Sequence, residues 1–173
     1  AIGVPHRATT TVVTRSGNPS SPVNLQMAAV GTASAAIVLS GCSDSSPAAL
    51  RAESDARVVK TLLAVQHQRG EGAPLPVVTE IFDPAIRSLV AQTAGTGVVA
   101  LHARDMLARI LVQTSRSVGL SVVYDELLSF RGNEIYFFGA DWGGASFGEL
   151  QYRFARAVPI GICPPGGELI LNP

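Results

Sequence analysis

Three short runs, residues 35–40 (AAIVLS), 76–82 (PVVTEIF) and 97–102 (GVVALH), are apolar at almost every position, and segments of helical periodicity lie between them. A strand that is apolar on both faces must be covered on both, which suits a parallel sheet and not a hairpin with one wet side. Between the first two runs, Ser54-Asp55 reads as a helix start. Val58, Leu62, Leu63 and Val65 follow at three- and four-residue spacing, and Gly70 closes the segment. Asp83-Pro84 then supplies a capping acid and a first-turn proline for a helix over 85–94. This succession predicts an α/β fold, a right-handed, doubly wound, Rossmann-like parallel sheet with helices on both faces. An earlier strand is expected at 9–14 (TTTVVT), a short helix at 23–30 and a loop at 41–49, where Ser and Pro gather.

Beyond the third run the pattern changes. A helix over 103–117 places Leu107, Ile110, Leu111 and Thr114 on one face, Gly119 interrupts it, and a second helix over 120–130 aligns Val123, Leu127 and Phe130. Two arrangements fit these stripes: a helical hairpin packed on its own sheet, or a contact between copies of the chain. Residues 133–138 (NEIYFF) read as a strand, Gly143-Gly144 and Gly166-Gly167 as turns, and 147–154 as a helix. Three regions result: a partial Rossmann-like lobe (1–102), a helix-turn-helix crossover (103–130) and a small, partial α+β lobe (131–173).

Composition removes several function classes. With 173 residues and 47% hydrophobic content, the chain can bury a core of about one domain. Thirteen basic residues balance thirteen acidic ones, so there is no electrostatic footprint for nucleic acid or an anionic membrane. Cys42 and Cys163 match no metal spacing and read as small, buried or half-buried residues of a reducing compartment. Residues 27–42 end in Leu-Ser-Gly-Cys, like a lipoprotein cleavage site, but no basic n-region precedes the apolar run. No stretch of about 18 apolar residues is present to span a bilayer.

Catalytic signatures are equally sparse. There is no G-x-G-x-x-G to cradle a pyrophosphate, no G-x-S-x-G elbow and no H-E-x-x-H. Of His6, His67 and His102, the last stands at the carboxyl end of a strand, where open parallel sheets bind ligands. Carboxylates gather at the same edge: Asp44 after the first run, Asp55 opening a helix, and Glu80 and Asp83 at the end of the second run. Oxygens converging from separate loops are what a hard cation such as Ca2+ requires. Asp55 and Asp83 equally fit as helix caps, with Glu80 a solvated edge residue. In Tyr124-Asp125-Glu126 the acids diverge on a helix, so they do not form a catalytic pair.

The order of motifs from residue 119 onward carries a resemblance. GLSVVYDELLSF (119–130) leads into NEIYFF (133–138), then Phe147-x-Glu149, and the chain ends in PIGICPPGGELILNP (159–173). Upstream, SDAR (54–57) and the Glu80 and Asp83 of the second run match as well. In this order and spacing the chain resembles the RCK-type (regulator of K+ conductance) regulatory domain of CASTOR/POLLUX ion channels, over about residues 9–173. The resemblance implies a non-enzymatic gating element on the soluble face of a membrane channel. It implies assembly with copies of itself into a ring through residues 103–130, and regulation by a ligand such as Ca2+. It also implies that the family's first βαβ unit, with its nucleotide-binding turn, lies upstream of Ala1. A fragment of a nucleotide-dependent oxidoreductase, or an NAD-binding lipoprotein, is the competing class, because a fold does not fix a function.

Overall fold

Strands Ala36–Val38 (β1), Val77–Glu80 (β2) and Val98–Leu101 (β3) pair as parallel neighbours in the order β1-β2-β3. They belong to a computed structural model that describes residues 10–70, 75–93, 97–129 and 133–173. The register sets Val77 beside Ala36 and Val98, and Thr79 beside Val38 and Ala100. These six side chains share one face. Helix Pro22–Met27 (α1) and the long helix Ala48–Arg69 (α2) precede β2, and Pro84–Thr93 (α3) links β2 to β3. Val58, Leu62 and Val65 of α2 and Val90 of α3 pack with Val77 and Val98 in a single core. Gly70, at φ 67, ends α2 in a backbone conformation that glycine adopts without steric cost.

Among the described residues, the two crossover helices make one layer against the expected parallel sheet. Both crossover helices cover the same face, and Ile37, Val78 and Val99 are exposed on the other, Ile37 at 73%. The reason is topological. The strand order advances in one direction, and successive crossovers of one hand then lay their helices on one side. Covering the second face requires the order to reverse, and it does not do so among the described residues.

Other boundaries also move. Helix α2 starts at Ala48, not Ser54, because the run Ala48 to Glu53 consists of strong helix formers behind Pro47. Asp55 therefore lies inside a helix and does not open it. Residues 11–14 and 133–138 are irregular and exposed. β-propensity is a preference for a pleated, half-buried surface, and without a neighbouring strand it leaves backbone groups to water.

Contacts divide the chain into two compact units, Ala1–Ser121 and Val122–Pro173. The first ends with helix Ala103–Arg116 (α4), and the boundary falls in the first turn of Leu120–Leu128 (α5). In the second unit Glu126 accepts from the backbone and side-chain nitrogens of Asn133 at 2.9 and 3.1 Å. Trp142 stacks at a tilt between Phe138 and Phe154, with ring centroids 5.9 and 5.6 Å away. Ser146 and Glu149 form a reciprocal capping box on helix Phe147–Leu150 (α6), which is shorter than the expected 147–154. The Glu149 carboxyl is held below its ordinary range chiefly by the Ser146 backbone amide. Strands Gly161–Ile162 (β4) and Ile170–Leu171 (β5) close the chain as an antiparallel pair. No helix among the described residues is long and apolar enough to cross a membrane.

Candidate functional site

Several polar side chains of the first unit meet at the carboxyl edge of the sheet. After β1 the chain turns through Ser40 and Gly41, and the Gly41 amide donates to Ser54 Oγ of α2 at 2.8 Å. After β2 the amides of Phe82 and Asp83 donate to the two carboxylate oxygens of Asp55, at 3.0 and 2.9 Å. After β3 comes His102, the N-cap residue of α4, whose side chain does not cap its own helix.

His102 is the centre of this edge. Its side chain is only 12% exposed, and both ring nitrogens face carboxylates. Nε2 lies 3.2 Å from Asp44 Oδ1, and Nδ1 lies 3.1 Å from Asp105 Oδ1 one helical turn along α4. The Phe82 ring meets the imidazole edge-on at 6.0 Å. Arginines from three helices surround the carboxylates. Arg104 of α4 places Nη1 2.5 Å from Asp44 Oδ2, an ion pair without hydrogen-bond geometry. Arg51 of α2 lies 3.7 Å from Asp44 Oδ1 and donates to its backbone carbonyl at 2.9 Å. Arg87 of α3 donates to Asp105 Oδ2 at 3.2 Å.

The electrostatic consequence follows from these contacts. The hydrogen bond to His102 lowers the Asp44 carboxyl below its ordinary range; desolvation opposes it, and the charges of Arg104, His102 and Arg51 reinforce it. Asp105 is lowered the same way, first by the His102 hydrogen bond and then by the His102 charge and by Arg87, again against desolvation.

The four acids expected at this edge hold four separate sets of partners. Asp44 belongs to the His102 cluster. Asp55 is 1% exposed and satisfied by two backbone amides. Glu80 Oε2 accepts from the Ser40 hydroxyl at 2.5 Å. Asp83 Oδ1 accepts the amides of Ala85 and Ile86 at 2.7 and 3.3 Å, the cap expected for α3. Among the described residues no group of three or more His, Cys, Asp or Glu side chains is arranged to hold a metal ion. His67 is exposed in the last turn of α2, and His6 lies outside the described residues; of the two free thiols Cys42 is half-buried as expected, whereas Cys163 is exposed.

Of the six apolar positions expected on the crossover helices, Leu107, Leu111, Val123 and Leu127 are exposed and Ile110 is half-buried. Phe130 lies outside the described residues. Neither α4 nor α5 contains a buried residue.

Sequence reasoning placed His102 at the right edge but missed Arg51, Arg87, Arg104 and Asp105 as its company. One signal was present: Asp105 stands three residues after His102 at a helix start, the spacing that brings two side chains onto one face.

The fold and this edge define a mixed α/β protein whose parallel sheet is compatible with the Rossmann-like class. The family described as Castor and Pollux, part of voltage-gated ion channel, matches residues 104–173. The chain is 31% identical over 171 residues to the probable ion channel CASTOR of Oryza sativa subsp. japonica, covering 95% of this chain and 18% of that protein. It is 31% identical over 169 residues to the ion channel CASTOR of Lotus japonicus, covering 95% and 19%. To the ion channel POLLUX of Lotus japonicus it is 29% identical over 169 residues, covering 95% and 17%. The chain belongs to the CASTOR/POLLUX family of ion channels. It spans less than a fifth of the length of these relatives, which are named as channels and not as enzymes.

Proposed function

We propose that this chain is a regulatory, RCK-type segment of a cation channel, lying on the soluble face of the membrane and joining copies of itself into a gating assembly. In this reading residues 1–102 contribute a partial N-lobe, 103–130 the crossover that meets a second copy, and 131–173 part of a C-lobe. The observation that carries it is α4: a helix of 14 residues with an apolar stripe and no buried residue. Leu107 and Leu111 are 55% and 61% exposed. An amphipathic helix owes most of its stability to packing of its apolar face, so an uncovered stripe of this kind suits a contact with another chain. Such an assembly gates by shifting between two arrangements that differ by a few kcal/mol, each favoured by different ligation.

Ca2+ is the ligand that the family resemblance implies. To bind it, Asp44, Asp55, Glu80 and Asp83 would have to release the protein donors they now hold, so the proposal does not route regulation through those four side chains.

Sedimentation equilibrium of the chain tests the assembly. Self-association at tens of micromolar is expected, and Leu107→Glu with Leu111→Glu abolishes it while circular dichroism stays unchanged, because both positions are exposed in the single chain. A chain that is monomeric throughout, or a double variant that unfolds, overturns the reading.

A further inference from the structure

His102 faces a carboxylate with each ring nitrogen, and that geometry is a chemical constraint. A neutral imidazole carries one N–H and one lone pair, so it donates to one carboxylate and turns its lone pair toward the other. Only the imidazolium donates to both. We propose that His102 is a proton-operated latch on α4: as imidazolium it clasps Asp44 of the β1–α2 loop and Asp105 of α4 together, and on losing its proton it releases one of them.

The latch acts where α4 is weakly held. No residue of the helix is buried, and its first turn makes several polar contacts with neighbouring elements. These are His102 with Asp44 and Asp105, Arg104 with Asp44, and Arg87 of α3 with Asp105. Arg51 of α2 steadies Asp44 from the other side. Of the other charged groups at this edge, Glu80 is occupied by Ser40, and Asp83 by the amides of its own helix. Phe82, the remaining neighbour of the ring, is apolar. The two carboxylates facing His102 are held below the ordinary range, first by the hydrogen bond to the imidazole and then, against desolvation, by the neighbouring positive charges.

The sign follows. The clasp is closed where the imidazole is protonated and both carboxylates are ionised. It opens when the imidazole gives up its proton, and again in acid as the carboxylates take up theirs. The latch does not depend on α4 being an assembly surface. Where α4 is one, the latch makes the position of that surface depend on pH.

The test uses the 173-residue chain and two readouts over one pH series. Long-range nitrogen–proton NMR follows the protonation of both His102 ring nitrogens. Hydrogen exchange at the Leu107 and Ala108 amides, corrected for intrinsic base catalysis, follows the first turn of α4. The expected result is that both nitrogens carry protons on the acid side, and that protection of the two amides falls severalfold over the same pH interval in which one proton leaves. His102→Gln removes this step. Asp105→Asn, at a half-exposed position, makes one acceptor neutral and shrinks the step, and it carries the test if His102→Gln does not fold. Protection that ignores the His102 titration, or a step of full size in either folded variant, overturns the latch. Sedimentation equilibrium at the two ends of the pH series reads assembly separately, so a latch without association fails only the assembly reading.

Discussion

The carboxylate of Asp55 accepts the backbone amide of Phe82, 27 residues away, at 3.0 Å. Its second oxygen accepts the next amide, that of Asp83, at 2.9 Å, so one buried helical acid pins the turn that leaves β2. Asp55→Ala strips two amides of their acceptor and should cost about 2 to 4 kcal/mol, since a hydrogen bond to a charged group is worth ~1.5–3 kcal/mol. Asp55→Asn should recover only part of this, because the amide nitrogen cannot accept. Urea unfolding of the three chains checks the order wild type, Asn, Ala. Equal stability of Asp55→Ala and wild type would show that the turn does not need the tether.

Asp83 acts one residue further on, and more weakly. It caps α3 from an exposed position through the amides of Ala85 and Ile86. Asp83→Ala should cost about 0.5–2 kcal/mol and Asp83→Ser much less, the range usual for N-caps. The comparison by thermal unfolding separates capping, which Ser restores, from any role that requires the charge.

Acid should weaken the first unit through Asp44 and Asp105. Both carboxyls are lowered from 3.8 in the folded chain, chiefly by the hydrogen bond to His102. A lowered folded value means that the stabilisation is fully present above the unfolded value and disappears as pH falls through the folded one. The melting temperature should therefore fall below about pH 4, the ordinary carboxylate range. The fall should be smaller in Asp105→Asn, which has already lost one contribution. A parallel fall in both chains would assign the acid limb to other carboxylates.

In the second unit Gly161 is the position where a side chain has no room. A Cβ built there lies 2.5 Å from the Ile170 carbonyl oxygen and 3.2 Å from Leu171 Cα across the β4–β5 pair. Neither is a flexible side-chain end that can swing away. Gly161→Ala should separate the two strands at a cost of about 1–3 kcal/mol, as overpacking does. Loss of the cross-strand proton contacts between Gly161 and Leu171 by NMR is the expected sign, and their survival would show that the backbone adjusts.

The sequence by itself determined the alternation of strands and helices in the first unit, because that information is local. Three apolar runs, an Asp-Pro helix start and a terminating Gly70 act within a few residues and appear as β1 to β3, α2 and α3. It also determined the cap made by Asp83, whose partners lie three residues or fewer away. Only the tertiary structure decided which face of the sheet is covered, because that depends on the direction in which strands join the sheet. It decided that residues 11–14 and 133–138 form no strand, since pairing needs a distant partner. It gave Asp55 its two amides and His102 its two carboxylates. Asp44 stands 58 residues before His102, and only the crossover through α2, β2 and α3 brings the two within 3.2 Å. Periodicity reports which side of an element avoids water; it does not report which charged groups from other elements meet there.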